Sequence, residues 1–153
     1  MEFLIYENQQ AGIQIDYLMD WDIVEGFMGS VVVILSPQED PKDTFRDNLN
    51  IMIQDLSAQP LTFEQYSALS IAQLKNLITK AKIVEPFSMT TAAGVPAGTM
   101  TYTGRQGKSK LKWYNVWTLI DTTAYVVTCT ATRKSYSKLL PVFKQMLSSF
   151  KIL

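Results

Sequence analysis

Catalysis requires nucleophiles, bases or metal ligands at set spacings, and this sequence has few of them. It contains no histidine and a single cysteine, Cys129. Without histidine, neither a Ser-His-Asp triad nor a Cys-His pair can be assembled, and a zinc site loses its usual ligands. Cys129 sits in the run Val127-Thr128-Cys129-Thr130-Ala131, where it reads as a small buried hydrophobe rather than a nucleophile. Gly104-Arg105-Gln106-Gly107-Lys108-Ser109 superficially resembles a phosphate loop. It has neither the G-x-x-x-x-G-K-[ST] spacing nor a helix after it, so a hairpin tip is the better reading. Acids gather at Asp16, Asp20, Asp22 and Glu25, and again at Glu39, Asp40, Asp43 and Asp47. Neither set has calcium-loop spacing, and both read as solvated loops. The expectation is no catalytic residue, no metal and no cofactor. An unrecognised hydrolase would need a close carboxylate pair with shifted pKa values in a cleft.

Binding chemistry is better represented. Trp113, Tyr114 and Trp117 lie close in sequence to Arg105, Lys108, Lys110 and Lys112. Interleaved rings and cations are the pattern of a single-stranded nucleic-acid platform. The plainer arrangement puts the rings in the core and the cations on a wet hairpin. Net charge is zero, which argues against strong nonspecific nucleic-acid binding. The charge is nonetheless divided along the chain. Residues 1–64 hold twelve acids against Lys42 and Arg46, whereas residues 105–153 hold nine bases against Asp121. Two segments follow as candidate partner-docking sites: the acidic loop with Glu39, Asp40 and Asp43, and the basic hairpin with Arg105, Lys108, Lys110 and Lys112. Charge on such loops would steer association with a protein partner.

These residues need elements to hold them. The 153 residues, 47% apolar and 18% charged, suit one folded domain spanning 1–153. Residues 3–7 and 13–17 alternate like strands. Val31-Val32-Val33-Ile34-Leu35 is a β-branched run ended by Pro37, and Leu49, Ile51 and Ile53 alternate again. Thr62-Phe63-Glu64-Gln65 forms a capping box, and the apolar spacing after it predicts a helix over about 63–80, with Lys75 and Lys80 near its C-terminus. A strand is expected over 83–89, a turn at 94–98, a strand over 99–103 and a hairpin loop at 104–107. Strands over 111–120 and 124–131 complete an antiparallel meander, with Trp113, Asn115 and Trp117 on one face. Tyr136, Leu139, Leu140, Phe143, Met146, Leu147 and Phe150 recur at steps of three and four and define a closing amphipathic helix. Pro141 belongs early in a helix, so regular helix is expected to begin only near 137–140. Burial of this stripe contributes roughly 10–15 kcal/mol before entropy, at about 25 cal/mol per Å². The order of strands, helix, strands and helix predicts an α+β fold, an antiparallel β-sheet flanked by helices on both faces.

Several segments, in order, carry a resemblance. They are Gly12-Ile13-x-Ile15-x-Tyr17 with Trp21, the strand from Val31 to Pro37, and Phe45-Arg46-x-Asn48-Leu49-Asn50. Thr62 to Tyr66, Gly94-Val95-Pro96-Ala97, Tyr102-Thr103-Gly104 and Lys112-Trp113-x-x-x-Trp117 follow. Ala124-Tyr125-Val126, Thr130-Ala131, Tyr136 and Ser149-Phe150 close the series. Together they resemble the PsbP-like superfamily over nearly the whole chain. That superfamily includes the extrinsic PsbP subunit of photosystem II, bacterial DcrB-like proteins and a yeast nuclear-import factor that binds the GTPase Ran. The resemblance implies an α/β/α sandwich and a non-enzymatic binding or accessory role toward a protein partner. Leu18 stands where the family often has Pro, and the histidines that bind metal in some members are absent, so metal binding is not implied. The alternative is a small-molecule or lipid-binding domain with a pocket between sheet and helix. The sequence further predicts a monomer, no nucleic-acid partner and no membrane span. With no signal peptide at Met1-Glu2-Phe3-Leu4-Ile5, a cytoplasmic location is expected unless an exported precursor was trimmed.

Overall fold

A computed structural model describes residues 1–38 and 45–153. The described chain forms ten strands, a short 3-10 turn and two helices. In order they are β1 (Phe3–Asn8), β2 (Ile13–Leu18), β3 (Asp22–Glu25), the turn Phe27–Gly29, β4 (Val32–Leu35), β5 (Asn48–Asp55) and α1 (Phe63–Leu77). Then come β6 (Thr79–Ala92), β7 (Val95–Gln106), β8 (Ser109–Ile120), β9 (Thr123–Thr132), α2 (Tyr136–Ser148) and β10 (Lys151–Ile152).

Seven strands build one antiparallel sheet in the order β3-β4-β5-β9-β8-β7-β6. The middle of the chain forms the expected meander, and β5 joins it by pairing along its whole length with β9. The two helices lie on opposite faces. Side-chain alternation makes this possible: Trp113 and Trp117 of β8 point toward α1, while Tyr114 and Val116 point toward α2. The predicted sandwich is the fold observed, with one addition. β1, β2 and β10 form a separate three-stranded sheet on the α2 side. Ile13 and Ile15 of β2 are fully buried there with Phe143 and Met146. The two-residue strand β10, opposite Gln14 and Ile13, is too short to show a period in the sequence.

α1 begins as its capping box requires. The Thr62 hydroxyl accepts from the Gln65 N–H, and the Gln65 side chain accepts from the Thr62 N–H. The helix ends at Leu77, not near 80, because Thr79 already pairs with Arg105 in the sheet. Lys80 therefore lies not on the helix but in β6, at a left-handed φ of 55°. The expected 83–89 strand is longer at both ends for the same reason: pairing with β7 continues on both sides of its apolar stretch.

Two glycine predictions are corrected. Gly98 lies inside β7 rather than in a turn, and the chain reverses earlier, at Ala93 and Gly94. A Cβ at 98 would come within 2.7 Å of the Phe87 ring and 2.8 Å of Trp117, so glycine is needed where two rings meet over the strand. Gly104 is likewise a strand residue, and the hairpin turn is the tighter Gly107-Lys108. A Cβ at 104 would lie 2.3 Å from Ile78 Cγ2 and 3.0 Å from the Thr79 oxygen. Close approach of the α1–β6 junction, not turn geometry, accounts for it.

α2 starts at Tyr136, before the expected 137–140, and keeps Pro141 inside it. The missing N–H forfeits one helical bond. Burial of Tyr136 and Phe143 on either side of Pro141 holds the helix through that gap.

Candidate functional site

The candidate basic residues come from one hairpin, β7–β8. Arg105 and Lys110 are directly opposite each other in the register, so both side chains occupy the same face. Like charges in that relation repel. Lys112, two residues along, shares the face, and its ammonium lies 4.4 Å from the centre of the Tyr136 ring, a cation–π contact. Lys108 is in the exposed turn. The fold adds two cations that the sequence reading missed. Arg133 donates its backbone N–H to the Lys110 oxygen at 3.1 Å, and its guanidinium approaches the Gly104 oxygen at 3.4 Å. Lys134 follows in sequence. They went unseen because they lie more than twenty residues from the hairpin. The signal that could have found them was the length of the meander, which sets Thr132 opposite Leu111.

Among the described residues none of these cations is in an ion pair, although the Asp47 carboxylate accepts from the Thr132 N–H at 2.9 Å, one residue before Arg133. The one ion pair among the described residues is Arg46–Asp22, at 2.7 Å and elsewhere in the fold. The result is a cationic end of the sheet, set by Arg105, Lys108, Lys110, Arg133 and Lys134. The acidic candidates Glu39, Asp40 and Asp43 lie outside the described residues.

Two of the hollows on the face toward α1 flank the Tyr102–Trp113 pair. One, of about 560 Å³, lies over β3, β4 and β5 and is lined by Val24, Phe27, Met28, Leu35, Met52 and Trp113 among others. Met28 is 83% exposed and stands on a left-handed backbone, φ 50°. The second, about 290 Å³, lies beneath α1. Tyr102 and Trp113 stack between the two at 5.2 Å. The second hollow contains the convergent polar groups expected of a ligand pocket. Tyr102 donates to Asn115 Oδ1 at 3.1 Å, and Tyr66 donates to Gln54 Oε1 at 3.2 Å. Burial pushes both phenols above their ordinary pKa, so they are neutral donors at physiological pH, not bases.

The remaining chemically capable groups are dispersed. Cys129 is fully buried in the α2-side core, and burial pushes its thiol pKa far up, so thiolate chemistry is closed to it. No three His, Cys, Asp or Glu side chains come together among the described residues. Trp117 is buried, and its indole N–H donates to Ser67 Oγ at 2.8 Å. Trp113 and Trp117 thus belong to the core, not to a stacking platform for bases.

No protein-family model and no curated protein sequence matches the chain. Solved structures do. Cyanobacterial PsbP, called CyanoP, from Synechocystis superposes with a TM-score of 0.70 at 14% identity, covering 99% of this chain and 92% of its own. The chain has the PsbP-like fold. PA94 of Pseudomonas aeruginosa, a protein of unknown function described as a putative regulator, gives a TM-score of 0.66 at 16% identity, covering 97% and 96%. LpqN of Mycobacterium tuberculosis, involved in cell envelope biogenesis, gives 0.66 at 15% identity, covering 91% and 82%. At these identities the likeness is one of fold. Among the described residues, no helix is long and apolar enough to cross a membrane.

Proposed function

We propose that this chain is a non-enzymatic accessory domain that binds a partner protein through the cationic end of its large sheet. The observation that carries this reading is the pairing of Arg105 directly opposite Lys110, with Arg133 beside them and, among the described residues, none of the three in an ion pair. A fold gains nothing from like charges held opposite one another. An acidic partner surface converts that repulsion into attraction and accelerates encounter. The neighbouring structures agree with the reading, since none of the three is described by a reaction it catalyses.

The test is reversal of Arg105, Lys108 and Lys110 to Glu, leaving Lys112 on its ring. Proteins captured from native extract by the wild type at low salt should be lost by the reversed variant and by the wild type at high salt. Recovery of the same proteins by both chains would remove the cationic end from consideration.

The hollow beneath α1 favours a second reading, a small-molecule site between sheet and helix. Its volume of about 290 Å³ is at the lower limit of ligand pockets. Its phenol and amide groups would orient a small apolar ligand with one polar end. Ligand-induced stabilisation that disappears in Asn115→Leu would support it, and equal stabilisation of that variant would count against it.

A further inference from the structure

One of the two edge strands of the large sheet, β6, is paired on one side only. Its hairpin with β7 turns through Ala93 and Gly94, at φ 53° and 77°, a two-residue turn of type I′. In such a hairpin the closing pair, Ala92 and Val95, exchanges both backbone hydrogen bonds, and bonded and non-bonded pairs alternate from there. Thr91–Pro96 falls in a non-bonded position, which is why a residue with no N–H is tolerated at 96. Met89–Gly98 is the next non-bonded pair. The N–H and C=O groups of Met89 and Thr91 therefore turn away from β7, toward the open edge. Upstream, register shifts and Pro86 interrupt the edge and blunt it against general strand pairing. The regular edge is confined to residues 88–92.

That edge borders a groove. α1 does not fully cover β6, and two adjoining hollows of about 380 and 530 Å³ lie between them. The first is walled by Phe63, Ala68 and Ile71 from the helix and by Phe87 and Met89 from the strand. The second continues from Ile71 to Lys75 and Lys82. Phe87 is 40% exposed and Met89 53%. The Phe87 ring is held in place, 5.9 Å from Trp117 and 6.3 Å from Phe63. Among the described residues, neither Lys75 nor Lys82 has an ion-pair partner.

We infer that the β6 edge and the α1 groove together accept an extended segment of a partner protein, added as a further strand of the large sheet. Its alternate apolar side chains lie over Phe87 and Met89, and its acidic end reaches Lys75 and Lys82. An open strand edge is a template for another extended backbone, and a flanking cleft reads every second side chain of such a strand. The two lysines fix its direction. Met89 and Lys82 are seven residues apart, about 23 Å in an extended chain at 3.3 Å per residue, so the segment spans about eight residues. A second copy offering its own β6 is a poorer occupant, because β6 carries one acid, Glu85, beside the interrupting Pro86. The surface is separate from the hairpin cations, and a failure of either proposal is visible without the other.

A random octapeptide library selected on the intact chain tests this. Enriched peptides should carry two apolar residues at i and i+2 and one or more acids at one end. A synthetic end-blocked peptide of the enriched sequence should slow amide exchange at Met89 and Thr91. Thr91→Pro removes only an outward N–H and should weaken that peptide at least tenfold. Lys75→Glu with Lys82→Glu should weaken it similarly, while reversal of Arg105, Lys108 and Lys110 leaves the affinity within about threefold. Methylating the peptide's own alternate amides should also weaken binding at least tenfold, and this arm leaves the protein untouched should Thr91→Pro unfold. No enrichment, equal binding by Thr91→Pro and wild type, or indifference to amide methylation would overturn the inference. So would a wild-type dimer that Thr91→Pro converts to monomer, since a second copy would then hold the edge.

Discussion

The two faces of the large sheet are covered differently. On the α2 side, the helix and the small sheet close over β4, β5 and β9, leaving Phe143, Met146, Ile13, Ile15, Leu49 and Ile51 with no measurable exposure. On the α1 side, the helix buries only Tyr66, Ser67 and Leu74. Hollows remain at either edge of it, and Phe27, Met28, Phe87 and Met89 stand in solvent. A continuous apolar stripe over two-sided cover makes a core. A shorter stripe over a wider sheet leaves apolar surface of the kind that marks an interaction site. Stability is therefore expected to reside on the α2 face and recognition on the α1 face and at the cationic end.

Breaking the closed face should have the largest effect. Phe143 is fully buried and meets Trp21 edge to face at 6.1 Å. Phe143→Ala should cost about 3–5 kcal/mol in urea unfolding; a loss below 1 kcal/mol would mean that the two faces do not differ as described. Gly104→Ala probes the seam where α1 enters the sheet. The nearby Thr79 oxygen is backbone and yields little, so the expected loss is about 1–3 kcal/mol.

Alkaline pH separates the faces less sharply, because each buries a tyrosine. Burial pushes Tyr136 on the α2 side up to about 12. The native state then holds its proton at pH values where the unfolded chain has lost it, so stability is full below about 10 and falls as pH rises toward 12. The loss is on the order of 1–2 kcal/mol, and Tyr136→Phe should flatten it in unfolding curves at pH 9 and 11. A slope that survives the substitution would assign the titration to the other groups that burial raises, Cys129 and Tyr6 on the same side or Tyr66 and Tyr102 on the other face. Removing the α1 capping box with Thr62→Ala should cost about 1 kcal/mol, read as a shift in thermal midpoint. The smallest change is expected from Leu77→Ala. Leu77 is 76% exposed, and its loss should fall within about 0.5 kcal/mol. A larger cost would show that α1 is better packed than its exposure indicates.

Much of this architecture was legible where a local pattern coincided with a tertiary need. The capping box of α1, the alternation of β5 and β8 and the stripe of α2 each record which side is buried, and burial is what their periods encode. Their order was enough for an antiparallel sheet with a helix on each face, and the resemblance to the PsbP-like superfamily agrees with the fold observed. The basic hairpin was legible as a charge cluster, because Arg105, Lys108, Lys110 and Lys112 lie within eight residues of one another.

Other features were decided only when distant segments met. Gly98 and Gly104 look like turn residues in the sequence. They are strand glycines because Phe87, Trp117 and Ile78 occupy the space where a Cβ would go. Arg133 joins the cationic end through a register set more than twenty residues away. β10 has no period to read and exists because β2 offers it an edge. The open edge of β6 is of the same kind. The sequence shows Ile83, Val84, Phe87 and Met89 as an ordinary apolar strand, and only its place at the edge of the sheet leaves its outer backbone groups unpaired and these side chains partly exposed. Local composition determines which residues seek burial, while topology decides which of them find it.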